Sequence, residues 1–155
     1  KIVVLHDPTV DRTTDGAGPI VAMTYAEARR LDAGFRYGAP SFPFRSRGIR
    51  IPLLEEILDS FPDIGFTVEL KSSSHPKFFE HLASIIRNLA LHRTIVASED
   101  DGSLKTMRRL LPEVPTNLSR SEVRRFFFMA SINYRHKKRH AYNEDYKTYD
   151  LAPRG

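Results

Sequence analysis

The chain has 155 residues, a net charge of +5, 41% hydrophobic and 28% charged residues, and neither cysteine nor tryptophan. Such a balance describes one globular domain rather than a disordered chain, long enough to bury roughly two-thirds of the surface its unfolded form exposes. Disulfides and thiolate chemistry are excluded, and no apolar run approaches the ~20 residues that cross a bilayer. Composition does not choose between a cytoplasmic and an exported soluble protein.

Lys1 to Leu5 is a continuous apolar run rich in β-branched residues. It predicts a buried strand, stopped by Pro8, whose nitrogen has no hydrogen to donate. Thr9 to Pro19 is a turn-rich loop. Thr24 and Glu27 have capping-box spacing, so a helix is expected to about Asp32, with Gly34 as a left-handed cap. Phe35 to Ile51 reads as a loop carrying Arg36, Arg45, Arg47 and Arg50, which either steer an anionic substrate or are simply solvated. Pro52 opens a short helix with Leu54, Ile57 and Leu58 on one face. Phe66 to Lys71 is a second strand. Pro76 starts the clearest helix, whose Phe79, Leu82, Ile85, Ile86 and Leu89 recur at core spacing. Thr94 to Ser98 is a third strand, Leu104 to Leu111 a helix, and Pro115 to Leu118 a short fourth strand.

Ser119 and Glu122 repeat the capping-box spacing and predict a helix to about Ala130. Phe126, Phe127 and Phe128 cannot share one helical face, so part of the triplet needs a second contact. Arg135 to His140 concentrates positive charge. It reads as a solvated helix end or loop, with nucleic acid or anionic lipid as the functional alternative and no recognition motif around it. Tyr149 to Ala152 predicts a last strand. Short strands alternating with amphipathic helices argue for an α/β fold with parallel strands. A closed (β/α)₈ barrel takes ~250 residues, so the pattern fits either a small open sheet or an incomplete barrel.

The chemistry-bearing residues fall at strand ends. His6 follows the first strand, and Glu69 and Lys71 close the second. Side chains alternate along a strand, so Glu69 and Lys71 point one way while Val68 and Leu70 pack against helices. Ligands of parallel α/β folds collect at the carboxyl ends of strands, so His6, Glu69 and Lys71 are expected to converge at one mouth. The trio suits phosphoryl chemistry. Glu69 can hold a hard cation, Lys71 can neutralise a phosphate oxygen, and His6 can move a proton near neutral pH. A plainer account also fits: a strand-end histidine bonded to scaffold, and a Glu69–Lys71 ion pair.

The stretches VVLHDPTVDRTTDGAGPIVAMTYAEARRLDAG, IRIPLLEEIL and FTVELK resemble, in order and spacing, the glycerophosphodiester phosphodiesterase family. The resemblance is strongest from Ile2 to Lys71, extends through LKTMRRLLPEVPT, and is carried beyond Ser119 only by YDLAP. It implies a TIM barrel of the phospholipase C-like phosphodiesterase type, incomplete in this chain. The implied reaction splits glycerophosphodiesters into glycerol phosphate and an alcohol with a divalent cation, Ca²⁺ or Mg²⁺. That places the protein in lipid metabolism, with a small-molecule substrate, no nucleic acid partner and no transmembrane segment. By position, His6 matches the second of two catalytic histidines, Glu69 one of three metal carboxylates, and Lys71 the basic residue near the substrate phosphate. Asp7, Arg12 and Thr14 belong to the motif and are expected to fix the loop through their own backbone. The family's His-Arg-Gly strand, its Glu-x-Asp pair and its late tryptophan-bearing strand have no match here. Residues 1–155 are therefore expected to be a single partial domain, best matched over 2–118 and inactive alone. Alternatives are another phospholipase C-like barrel, or a non-catalytic remnant or binding module.

Overall fold

The computed structural model describes residues 1–71 and 76–144, with side chains through Ile132 apart from Pro76. Two parallel β/α units form its centre. Strand β1 (Phe66–Glu69) leads to helix α3 (Pro76–Leu89), and β2 (Thr94–Ala97) to α4 (Asp101–Leu110). The strands pair in parallel, from Phe66 opposite Thr94 to Glu69 opposite Ala97. Before them come α1 (Tyr25–Ala28) and α2 (Leu54–Ser60), and after them the long α5 (Arg120–Glu144).

The 3.6-residue period of α3 places Leu82, Ile85 and Ile86 in one buried cluster. They meet Leu54 and Leu58 of α2, Leu104 and Met107 of α4, Val96 of β2, and Leu70. The period of two along β1 leaves Thr67 and Glu69 exposed, while Phe66 and Val68 turn toward the cluster. In β2, Thr94 and Val96 are buried and Ile95 is exposed. Among the described residues, helices thus cover one face of the sheet, and the face carrying Glu69 lies open.

Arg93 ties the layers together. One guanidinium donates to the carbonyls of Leu58, Phe61, Ile64 and Leu89, at 2.7 to 3.0 Å, and lies over the Phe66 ring. It thereby joins the end of α2 to the end of α3, where a cation favours the exposed carbonyls of a helix terminus.

Several expectations change in the structure. Lys1 to Leu5 is not a strand of the sheet: Val3 makes one isolated antiparallel bridge, to Leu53, while Leu54 N–H donates to Ile2 O. The run pairs with the entry to α2, and Ile2 packs on the core from there. The fourth strand is one parallel bridge from Thr116 to Val96, flanked by two backbone hydrogen bonds and extended by the Asn117 amide, which bonds both N–H and C=O of Ser98. Among the described residues the arc therefore holds three parallel segments, and Tyr149 to Ala152 lies outside them.

Helix α1 keeps its Thr24–Glu27 capping box but ends at Ala28. Just beyond, buried Asp32 accepts from Gly34 and Ser46 N–H while Asp15 accepts from Asp32 N–H, and such local bonds compete with helical ones. Gly34 is not a left-handed cap. Among the described residues the positive-φ glycines are Gly18, Gly38 and Gly48, and a Cβ on Gly34 would fall 2.5 Å from Phe44 O. Helix α4 starts earlier than expected because Asp100 caps it, accepting from Ser103 N–H at 2.6 Å. The Ser119–Glu122 box opens α5 as expected, but the helix runs on through Asn133 to Glu144. Phe126, Phe127 and Phe128 stay 61 to 65% exposed, with Phe126 and Phe127 edge to face on each other.

Candidate active site

Glu69 is the last residue of β1 and Lys71 lies two beyond it, on the same side of the pleat. Lys71 Nζ donates to Glu69 Oε1 at 2.6 Å. Both side chains are close to half exposed, so the pair contributes about 0–1 kcal/mol to stability. Both groups remain accessible from solvent at the carboxyl end of the sheet.

His6 sits at the head of the loop from Thr9 to Pro19. Its Nδ1 lies 2.7 Å from Asp7 Oδ1. An ionised carboxylate only accepts, so the Nδ1 nitrogen donates in this contact, and the tautomer of a neutral ring here is the one with its lone pair on Nε2. Arg12 clamps Asp7 from the other side through Nε and, at 3.0 Å, Nη2. This Arg12 bond, reinforced by the His6 contact, holds the Asp7 carboxyl well below the usual carboxylate range. The loop is braced by Thr14, whose buried hydroxyl donates to Val10 O and accepts from Gly16 N–H, and by Asp11, which accepts from Gly18 N–H.

Thr14 does fix the loop through its own backbone, as expected. Asp7 and Arg12 do something else: they form a side-chain relay ending on His6. Sequence reasoning missed this link. The available signal was an Asp beside a His with an Arg five residues on, across a turn opened by Pro8.

The structure brings Glu69 and Lys71 together, and His6 with Asp7 and Arg12. Among the described residues, no hydrogen bond or ion pair joins the two groups. Nor do any three His, Asp or Glu residues cluster at a spacing that could hold a metal ion. A hard divalent cation takes six or more oxygen ligands, whereas Glu69 is one carboxylate already carrying an ammonium. The described residues alone do not fit such a cation.

The arginine loop is largely tied to the scaffold. Arg36 donates to Thr14 O, Arg50 to Leu31 O and Arg45 to Phe35 O, and the Arg45 guanidinium stacks 3.8 Å from the Phe42 ring centroid. His81 is exposed on α3, and His75 lies outside the described residues.

The sequence profile of the Glycerophosphoryl diester phosphodiesterase family matches residues 1–125. The chain belongs to this family. The matched stretch contains His6, Glu69 and Lys71 and stops inside α5. A Bacillus subtilis (strain 168) relative is 35% identical over 153 residues, 89% of this chain and 60% of its own length. A glycerophosphodiester phosphodiesterase of Caldanaerobacter subterraneus subsp. tengcongensis is 33% identical over 122 residues, 76% of this chain and 48% of its own. Among solved structures, the glycerophosphoryl diester phosphodiesterase domain of an uncharacterized Mycobacterium tuberculosis protein superposes with a TM-score of 0.70 at 26% identity. It covers 84% of this chain and 48% of that one. The chain thus spans about half the length of the family members it matches. Its fold is that of an incomplete TIM barrel, and no helix among the described residues is long and apolar enough to cross a membrane.

Proposed function

We propose that this chain is part of a phosphodiester hydrolase that cleaves glycerophosphodiesters into glycerol phosphate and an alcohol. The family match over residues 1–125 carries this reading. It is supported by a solved Oleispira antarctica phosphodiesterase in complex with the product sn-glycerol-3-phosphate, 25% identical with a TM-score of 0.58. In this reading His6, held as the Nδ1–H tautomer by Asp7, moves a proton at Nε2. Lys71 neutralises a non-bridging phosphate oxygen. Glu69 contributes one carboxylate to a Ca²⁺ or Mg²⁺ site whose other ligands come from outside the described residues. Bound there, such a cation would stabilise charge on the phosphate.

The test grafts residues 2–118 into the matching segment of the Caldanaerobacter relative and follows glycerol phosphate release from glycerophosphocholine in a coupled assay. The graft is expected to be active. His6→Ala should lower its rate by about 10²–10⁴-fold, the usual contribution of a positioned acid–base group, and Glu69→Ala should remove most of it. A fully active His6→Ala graft would refute the assignment. The 155-residue chain alone is expected to release no glycerol phosphate, with or without added Ca²⁺ or Mg²⁺, because one carboxylate anchors these cations poorly.

A further inference from the structure

Among the described residues, helix α5 is pinned at its start. Arg108 of α4 grips Glu122 through two hydrogen bonds, and Ser119 and Glu122 close the cap. From Val123 to Ile132 every side chain is exposed, including those of Phe126, Phe127, Phe128, Met129 and Ile132. Helices that are apolar on all sides are normally enclosed. The mostly apolar block from Phe126 to Ile132 within α5 is exposed instead, and it begins where the family match ends.

The charge around the block is equally one-sided. Helix α5 carries seven lysines and arginines against two glutamates, and one of those, Glu122, is already paired with Arg108. Arg124 and Arg125 precede the block, and Arg135, Lys137, Lys138 and Arg139 follow it. Two copies of such a helix repel one another. A rigid protein groove takes a stripe about 100° wide, whereas three consecutive helical residues span about 200°. A fluid interface accommodates that arc, and the excess of lysine and arginine in the helix sequence complements anionic headgroups.

We propose that α5 is a membrane-surface element, with Phe126–Phe128, Met129 and Ile132 entering the headgroup–acyl boundary and the flanking cations selecting anionic lipid. The proposal concerns binding and is independent of the phosphodiesterase reading.

Flotation of the purified 155-residue chain on a density gradient tests it, since vesicle-bound protein rises while aggregate sinks. The chain should float with phosphatidylcholine vesicles that contain phosphatidylglycerol, and not with phosphatidylcholine alone. Lys137→Gln, Lys138→Gln and Arg139→Gln together should weaken binding roughly a hundredfold. Phe126→Ser, Phe127→Ser and Phe128→Ser together should weaken it at least about tenfold by removing apolar burial. All of these residues lie beyond the cap that pins α5, so circular dichroism should show both variants folded. Three results would each overturn the proposal: no flotation with anionic vesicles, equal flotation with neutral ones, or a stable dimer that the serine variant dissolves. Capture by single-stranded RNA without vesicle binding would overturn it as well.

Discussion

Replacing Arg93 offers a sharp stability test, because one side chain satisfies four backbone carbonyls drawn from three connected segments. Each hydrogen bond is worth about 0.5–1.5 kcal/mol net, and more when the donor is charged. Partial exposure of the Phe61 and Ile64 contacts puts those two at the low end, and water replaces them on deletion. The Leu58 and Leu89 contacts are part-buried, so their loss costs more. Together these give about 2–4 kcal/mol for Arg93→Ala, a large share of the 5–15 kcal/mol that typically stabilises a domain. Arg93→Met keeps the stem beside Phe66 and loses only the bonds, and should recover the packing part. Arg93→Lys retains the charge but not the planar fork, so about half the loss should remain. Urea unfolding followed by circular dichroism at 222 nm measures all three. Arg93→Ala within about 0.5 kcal/mol of the parent, the range of an ordinary surface change, would show that the network does not hold the layers together.

The Arg108 bond, with help from Ser119 N–H, holds the Glu122 carboxyl at about 2, down from 4.5. A carboxyl depressed in the folded state stabilises the fold above its unfolded pKa and loses that contribution as pH falls through the folded value. The stability gap between parent and Glu122→Gln should therefore be constant above about pH 5 and shrink steadily toward pH 2; urea midpoints across that window check it, and a pH-independent gap would refute it. Gly34→Ala should cost about 1–3 kcal/mol by forcing a Cβ against Phe44 O, read as a lowered melting temperature, whereas Gly65→Ala, with nothing closer than 3.7 Å, should cost far less. Asp7→Asn should release the His6 tautomer, visible in ¹⁵N NMR as a lower share of the Nδ1–H form; an unchanged tautomer would break the relay.

Local rules made much of the fold legible. The α3 periodicity, the Thr24 and Ser119 capping boxes and the parallel β1–β2 pair all rest on contacts between near neighbours or on one-sided burial. The misreadings arose where a partner distant in sequence decided the outcome. Lys1 to Leu5 has the composition of a sheet strand, yet its partner is Leu53, which no local pattern reveals. Gly34 looked like a helix cap because the approach of Phe44 cannot be seen in the residues around it. In the site, Glu69 and Lys71 were readable from strand alternation, since their spacing of two puts them on one side. The Asp7–Arg12 clamp was not, because it depends on how the turn after Pro8 folds back.

The Asn117 amide has a consequence for how this arc tolerates change. Its carbonyl oxygen and NH₂ take the places that a peptide C=O and N–H would occupy beside Ser98, so one side chain acts as an extra rung of the ladder. Alignment of the third segment with β2 is thereby set by a residue identity as well as by the main chain. Inserting one residue between Val114 and Asn117 would carry the amide past Ser98 and leave two backbone groups unanswered. Length variation here should be confined to the exposed turn at Pro112 and Glu113, upstream of this molecular detent.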